Sequence, residues 1–338
     1  METQCDALAK HTSIIRRRTR HLRPPCTLSC QPTRALPKPF SSFLPLPLTP
    51  YYPNPPRLQP WLLNQLNGNR KLPAGASEWQ RGCPSLVPSL RSSPFWEGES
   101  LDRLPWVRAL EEAAPVIRAE LLALRGAGAF QPYRAPMTAA VAQQAADGIG
   151  SVSHDSGDWS VMYLFLHNLD FSANRDKCPE TCKAIASIGS GHYHHAFFSA
   201  LAPGTHITKH HGPTNKKLRC HLPLVVPPRQ AARLRVGDEI RALEEGKCVV
   251  FDDSFEHEAW NDDPERTRLV LILDVWHPDL TPKEVKFLAY LQNAALKAEK
   301  ELVTSRDSEA VENAVYDNFF SVITAARALH ASDEKVFR

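Results

Sequence analysis

Residues 268–276 read RLVLILDVW, and the first six of them are apolar on both faces except at Arg268. An apolar run on both faces indicates a strand that is buried on both sides. Before this segment in the chain, further short strands are predicted, several of them separated by turns rich in Gly, Pro or Asn. They lie at residues 193–201, 205–211, 219–226, 232–236, 247–252 and 256–261. Short strands without long helices between them are typical of a sandwich or a barrel.

Two arginines and many histidines belong to these strands. Arg219 and His221 are two residues apart, so they share one face of their strand. A buried guanidinium without an anion is very costly, and Arg219 and Arg268 therefore need a carboxylate or phosphate from the protein or from a ligand. Nine of the 14 His lie between residues 192 and 277, and His is the commonest metal ligand. Together these features suggest a metal site that also holds a dianion.

The composition excludes several classes of protein. The chain has 338 residues with 40 Lys plus Arg against 37 Asp plus Glu, and this near balance argues against a nucleic-acid-binding protein. The chain has no run of about 18 apolar residues, so no transmembrane helix is predicted. Eight Cys are too few for a disulfide scaffold. Cys178 and Cys182 are spaced by one helical turn, whose geometry is unfavourable for a disulfide, so we expect free thiols.

Five motifs in the strand region resemble a known family. They are GTHITKHHGPTN at 204–215, LRCHL at 218–222, EGK at 245–247, FDDSFEHEAW at 251–260 and RLVLILDVWHP at 268–278. The sequence is similar to the catalytic domain of the aspartate/asparagine β-hydroxylases (aspartyl/asparaginyl/proline hydroxylases), a branch of the Fe(II)/2-oxoglutarate dioxygenases. The resemblance is dense across 199–278 and thinner toward Trp159 and residues 95–124.

The resemblance implies a fold and a metal site. The fold would be mainly β, a double-stranded β-helix (cupin-like jelly roll) core with flanking α-helices and a helical C-terminal extension. His210 and His257 would bind iron. Most enzymes of this class add a carboxylate to form a facial triad. In this branch that carboxylate is missing, and its position here is Gly212.

The resemblance also implies a 2-oxoglutarate site. Arg268 would pair with the distal carboxylate, assisted by Ser199, and would count among the catalytic residues with the two histidines. Arg219 and His221 would hold the carboxylate next to the keto group, and Trp159 would line the pocket. Arginine suits such a task because its planar fork binds a carboxylate bidentately.

The implied activity is insertion of one oxygen atom of O2 into an unactivated C–H bond. Fe(II) would be held at the site, 2-oxoglutarate would be consumed, and ascorbate would be a supporting reductant. The co-products would be succinate and CO2. The substrate would be the β-carbon of Asp or Asn in a peptide, a free amino acid, or a lipid acyl chain. A non-catalytic barrel that binds 2-oxoglutarate as a sensor or scaffold is the alternative. The sequence does not indicate an oligomeric state.

Neighbouring polar residues leave alternatives open. Asp252 and Asp253 could supply the missing carboxylate, although hydrogen bonding in a turn is favoured. His211 alternates to the face opposite His210 and is not expected to bind metal. A group of three histidines is expected at an edge or surface: His192, His194 and His195.

The chain is predicted to have three parts. Residues 1–95 hold 16 of the 29 Pro and 13 Lys or Arg against three acidic residues, which is typical of a disordered arm. Because it is rich in Arg and poor in acids, this arm resembles a transit peptide for a plastid or mitochondrion. An untargeted arm on a cytoplasmic protein is the alternative. Residues 96–285 are the predicted dioxygenase domain, with a helix at 105–125, and 286–338 are a helical extension that includes a helix at about 308–330.

Overall fold

The computed structural model describes residues 55–68, 71–136, 143–304 and 319–338. Within these residues the strands form a six-stranded sheet, a five-stranded sheet and a two-stranded ribbon, and every strand pair is antiparallel. The six-stranded sheet has the order β1-β5-β6-β13-β8-β11, and the five-stranded sheet has the order β10-β9-β12-β7-β4. Two facing antiparallel sheets of this topology confirm the predicted double-stranded β-helix.

The strands are short, as the sequence predicted. They are β1 Gln131–Pro132, β2 Gln143–Gln144, β3 Ser151–Val152, β4 His154–Ser156, β5 Trp159–Leu166, β6 His192–Leu201, β7 Thr205–His210, β8 Lys217–Val225, β9 Ala232–Val236, β10 Glu239–Ala242, β11 Val249–Phe251, β12 His257–Asn261 and β13 Arg268–Trp276. The helices are α1 Leu58–Leu66, α2 Trp106–Glu112, α3 Ala114–Ala123, α4 Ser172–Arg175, α5 Pro179–Ala186, α6 Pro282–Thr304, α7 Phe319–Ala326 and α8 Asp333–Val336.

Strand β13 forms the middle of the six-stranded sheet. It pairs with β6 on one side and β8 on the other, and all nine of its residues are buried. This confirms the buried strand that its apolar pattern predicted. Strand β5 was not predicted, although its sequence WSVMYLFL is almost entirely buried beside β6. Without an alternating pattern, an isolated apolar run does not distinguish a strand from a helix.

Two apolar clusters cover the two faces of the six-stranded sheet. One lies between the sheets and includes Tyr163, Phe197 and Phe251. The other lies between the six-stranded sheet and α2, α3 and α5. The single helix predicted at 105–125 is interrupted at Ala113, since Pro115 in the first turn of α3 has no N–H to continue the hydrogen-bond ladder. Cys178 and Cys182 are free thiols, as predicted.

The prediction that residues 1–95 are a disordered arm is wrong for the part that the structure describes. Leu58 and Val87 are 0% and 1% exposed, and α1 packs against α6 in a third apolar cluster. The Asn215 side chain bonds both the N–H and the carbonyl of Val87, at 2.7 and 3.0 Å. The high proline content of this segment favoured a prediction of disorder. An irregular segment can nevertheless pack into a fold without apolar periodicity. Residues 1–54, which carry the predicted transit peptide, lie outside the described residues.

The predicted boundary at residue 285 falls inside a helix. Helix α6 begins at Pro282, directly after Thr281, which exchanges hydrogen bonds with Glu284 as in a capping box. The C-terminal extension is also part of the main core, since Val336 is 1% exposed and Phe337 stacks edge-on against Phe130. Of the helix predicted at 308–330, residues 308–318 lie outside the described residues. No helix in the described part of the chain is long and apolar enough to span a membrane.

Candidate functional site

Two histidines face each other between strands β7 and β12. His257 is the register partner of His210, and their ring centroids lie 4.0 Å apart. His257 is 4% exposed, and His210 is half-buried. The two residues that the sequence singled out as iron ligands are therefore brought together by the pairing of their strands.

Backbone carbonyls fix the orientation of both rings. The Nδ1 of His210 donates to the Thr208 carbonyl at 2.8 Å, and the Nδ1 of His257 donates to the Phe255 carbonyl at 2.9 Å. Each ring therefore keeps its Nε2 lone pair for a metal, which is the arrangement that metal-binding histidines usually have. Burial lowers the pKa of His210 and lowers that of His257 well below its usual value, with the other imidazole as a further cause for His257. Both rings are therefore neutral, as a ligand must be.

A residue of the neighbouring loop occupies the space where a side chain at position 212 would lie. A Cβ on Gly212 would lie 2.5 Å from Cγ of Asp253, so the Asp253 carboxyl group takes the space of the absent side chain. Asp253 is fully buried; its Oδ2 accepts from Lys217 at 2.6 Å, and its Oδ1 has no partner among the described residues. Among the described residues, no group of three or more His, Cys, Asp or Glu side chains could hold a metal ion.

Arg219 lies in a buried cluster of charges. Its Nε and Nη2 bind the two oxygens of Asp274 at 2.8 and 2.9 Å, and its Nη1 lies 3.4 Å from Asp253. Lys217 lies 3.0 Å from Asp274, and His195 Nδ1 lies 2.8 Å from it. The two carboxylates raise the pKa of Arg219, and its charge lowers that of Asp274 despite burial. The anion that the sequence required for Arg219 is therefore present in the protein.

Arg268 has no carboxylate partner in the part of the chain that the structure describes. It is 2% exposed, and its Nε and Nη1 find no hydrogen-bond partner among the described residues. Burial alone lowers its pKa to about 9, and no carboxylate opposes the shift. A guanidinium that is buried without an anion is costly unless a ligand supplies one. The anion that the sequence required for Arg268 is thus missing from the described protein.

His221 lies between the two arginines. Burial lowers its pKa well below the usual value, and the charges of Arg268 and Arg219 lower it further. Its Nδ1 is buried without a partner among the described residues. The ring of Phe251 contacts both His221 and His257, with centroids 5.0 and 5.6 Å away. His221 therefore connects the arginine end of the site to the histidine pair.

The remaining predicted residues lie in the same wall of the large sheet. Trp159, Leu201 and Arg268 are register partners on β5, β6 and β13. The Trp159 indole donates to the Ser199 hydroxyl at 3.1 Å, and Tyr133 stacks on the indole at 3.7 Å. Ser199 is fully buried two residues before Leu201 on β6, opposite Val161 and Val270. The structure thus places every predicted site residue on the interior of one barrel.

Sequence reasoning missed the partners of Arg219. His192, His194 and His195 were expected at an edge or surface. His194 is exposed, but His192 is 7% exposed and His195 binds Asp274. Asp274 interrupts an apolar run two residues before its end, which was a usable signal of a buried carboxylate. Lys217 carried no such signal, since a lysine at a strand end is usually solvated.

The unpaired atoms of the site suit a metal ion and a dicarboxylate. Two oriented imidazoles offer two nitrogen ligands, which suits Fe(II) among other metals. The orphaned nitrogens of Arg268 and His221 lie in the same interior and suit an anionic ligand with oxygen acceptors. The residues present therefore fit both groups.

The fold and the site define a double-stranded β-helix protein with two facing histidines and an unpaired interior arginine. Residues 111–278 match the family described as aspartyl/asparaginyl beta-hydroxylase, and the chain belongs to this family. This finding confirms the resemblance read from the five motifs.

Relatives with different names share this region. The chain is 34% identical over 221 residues to the aspartyl/asparaginyl beta-hydroxylase of Homo sapiens, covering 63% of this chain and 26% of that protein. It is 34% identical over 179 residues to the ornithine lipid ester-linked acyl 2-hydroxylase of Rhizobium tropici, covering 53% of this chain and 59% of that protein. The chain thus spans about a quarter of the length of the human relative.

Solved structures are less similar. A Burkholderia pseudomallei oxidoreductase of the 2OG-Fe(II) oxygenase family aligns with 12% identity and a TM-score of 0.31, over 49% of this chain and 81% of that one. This score is too low to carry an argument about function.

Proposed function

We propose that this protein is a hydroxylase that uses Fe(II) and 2-oxoglutarate to oxidise an unactivated C–H bond. The observation that carries the proposal is Arg268, whose buried guanidinium has unpaired nitrogens in the same barrel interior as the two facing histidines. Membership in a family of hydroxylases supports it. The sensor alternative requires the same residues to bind 2-oxoglutarate without turnover.

His210 and His257 would hold the iron through their Nε2 atoms. Because their Nδ1 atoms are bound to backbone carbonyls, the rings keep one orientation and one tautomer. The bound iron, with 2-oxoglutarate and O2, would supply the oxidation and give succinate and CO2 as co-products. Ascorbate would support activity by keeping the iron reduced.

Arg268 would bind the distal carboxylate of 2-oxoglutarate, with Ser199 beside it. The free energy of binding would be strongly favourable here, because the ligand carboxylate provides the anion that the buried guanidinium lacks. His221 and Arg219 would hold the carboxylate next to the keto group. Because Asp274 accepts hydrogen bonds from two nitrogens of Arg219, the orientation of the Arg219 guanidinium is fixed before a ligand binds.

The substrate is proposed from the relatives' names. One is named for aspartyl and asparaginyl β-hydroxylation and another for 2-hydroxylation of an acyl chain of ornithine lipid. We propose that this chain acts on a peptide Asp or Asn, a free amino acid or a lipid acyl chain. Its N-terminal composition supports an organellar location, in a plastid or mitochondrion.

The test is succinate formation by the full chain with Fe(II), ascorbate, 2-oxoglutarate and air, in the presence of Asp- or Asn-containing peptides or acyl lipid vesicles. We expect succinate from the wild type with one substrate class, and none from His257→Ala or Arg268→Ala. Arg233→Ala is the matched control, because Arg233 is an exposed arginine paired with Asp262. Binding of 2-oxoglutarate without succinate from any substrate would favour the sensor. Absence of both binding and succinate would contradict the proposal.

A further inference from the structure

A short segment before the family region lies against both strands of the histidine pair. Residues 77–83 begin with the one-turn helix Glu78–Gln80, and Ser77 and Gln80 cap it reciprocally. The Gln80 Oε1 accepts from the Ser77 N–H at 2.9 Å and from the Ser92 hydroxyl at 2.6 Å. These bonds leave the Nε2 of Gln80 directed to the loop on its other side.

That loop leads into His257. The Nε2 of Gln80 donates to Asp252 Oδ2 at 3.1 Å and to Ser254 Oγ at 2.7 Å. Gln80, Asp252 and Ser254 are at most 1% exposed, so water cannot readily replace these bonds. Gln80 therefore fixes the conformation of the chain between β11 and β12.

The neighbouring carbonyl reaches both histidine strands. The Trp79 oxygen accepts from the Glu256 N–H at 2.8 Å and lies 3.2 Å from Nε2 of His211. Glu256 directly precedes His257, and His211 directly follows His210. A single carbonyl thus joins the residue before one predicted ligand to the residue after the other.

Close contact at Gly82 completes the arrangement. A Cβ on Gly82 would lie 2.4 Å from Cε1 of the His211 ring, so the imidazole packs directly on the glycine. A larger residue would push the His211 ring away from the segment and from the Trp79 carbonyl. Gly82 does not need glycine for a positive φ, which leaves the ring contact as its constraint.

We propose that residues 77–83 position His210 and His257 for metal binding, with Gln80 as the principal positioning residue. The proposal rests on the proposed function, because it takes both histidines as metal ligands. Two ligands on separate strands bind a metal more tightly when their spacing is held before binding, because less ordering is then needed on binding. The segment holds it by bonding the loop before β12 and the turn after β7 at the same time.

The test is titration of the full chain with Co(II) in the presence of 2-oxoglutarate, followed by visible absorption and calorimetry. We expect Gln80→Ala and Gly82→Ala to weaken Co(II) binding by about 10- to 100-fold, the usual effect of losing groups that orient metal ligands. Gly191→Ala is the matched control, since its added Cβ would meet only Ile188 Cγ2, at 3.4 Å. It should bind Co(II) as the wild type does.

The outcomes separate the two proposals. If wild type and His257→Ala bind Co(II) equally, or neither binds it, the proposed function fails. If binding needs His257 but Gln80→Ala keeps wild-type affinity, only the positioning role is overturned. Gln80→Glu is a second variant, because it keeps the acceptor for Ser77 and loses the donor to Asp252. A loss of affinity that is fully explained by a smaller folded fraction in urea denaturation would also overturn the positioning role.

Discussion

Arg219 and Arg268 are two interior arginines of the same sheet with opposite surroundings. At one end of the barrel wall, Arg219 binds Asp274 with two nitrogens and lies beside Asp253. Toward the other end, Arg268 has two nitrogens without a partner among the described residues. The sequence raised the same question for both, because each is a cation in a buried strand.

The difference separates a structural arginine from one that awaits a ligand. A buried ion pair with good geometry satisfies both charges within the protein. A buried cation without one keeps a free-energy cost that a bound anion can remove. We therefore propose that the Arg219 cluster mainly maintains the conformation of the site and that Arg268 mainly binds the cosubstrate.

The largest expected effect is at Asp274. Asp274→Asn should lower the free energy of unfolding by about 3–5 kcal/mol, because it leaves Arg219 and Lys217 buried with one carboxylate fewer. Urea denaturation measures this difference. Asp262→Asn, which removes the exposed partner of Arg233, should cost less than about 1 kcal/mol. Equal effects of the two variants would mean that the buried Arg219 cluster contributes no more to stability than an exposed ion pair does.

The next effect is on 2-oxoglutarate. Arg268→Met should weaken its binding to the Co(II)-loaded protein by about 10- to 100-fold, since a charged hydrogen bond contributes about 1.5–3 kcal/mol. Titration calorimetry measures the dissociation constant. Arg233→Met serves as the control and should bind normally. Unchanged affinity in Arg268→Met would show that the dicarboxylate is held elsewhere.

A smaller effect is expected at Gly212. Gly212→Ala should destabilise the fold by about 1–3 kcal/mol, because its Cβ would collide with the Asp253 carboxyl group beside Lys217. Thermal or urea denaturation measures it, with Gly191→Ala as the control. By the same argument Gly212→Asp should not create a facial triad, since the space is already filled. Wild-type stability in Gly212→Ala would mean that the Arg219 cluster can rearrange around the added Cβ without a cost in the free energy of unfolding.

The smallest effect is on the stability of the ligand-free protein. Arg268→Met should leave the free energy of unfolding within about 1 kcal/mol of wild type or raise it, because no carboxylate of the described residues pairs with the lost guanidinium. Arg219→Met should instead destabilise, as Asp274→Asn does. Urea denaturation without 2-oxoglutarate compares the two. A large loss of stability in Arg268→Met would reveal a partner for this arginine in the protein.

Much of the barrel could be predicted from the sequence because its strands are short and carry clear patterns. Strands β9 and β13 have the predicted limits, and the histidine pair came from motif residues that strand pairing then brought together. The charge partners could not be predicted, since Asp274 and Arg219 are 55 residues apart and meet only through the register of β13 and β8. Residues 77–83 were missed because hydrogen bonding, without apolar periodicity, holds them in place.

Sequence patterns were sufficient to predict seven of the described strands, the candidate ligands and the need for two anions. Alternating and continuous apolar patterns report burial, and burial of a cation implies a counter-charge whatever the fold. Only the tertiary structure decided which anion came from the protein. Asp274 reaches Arg219 because their strands are neighbours, and no described carboxylate reaches Arg268 at the other end of the same strand.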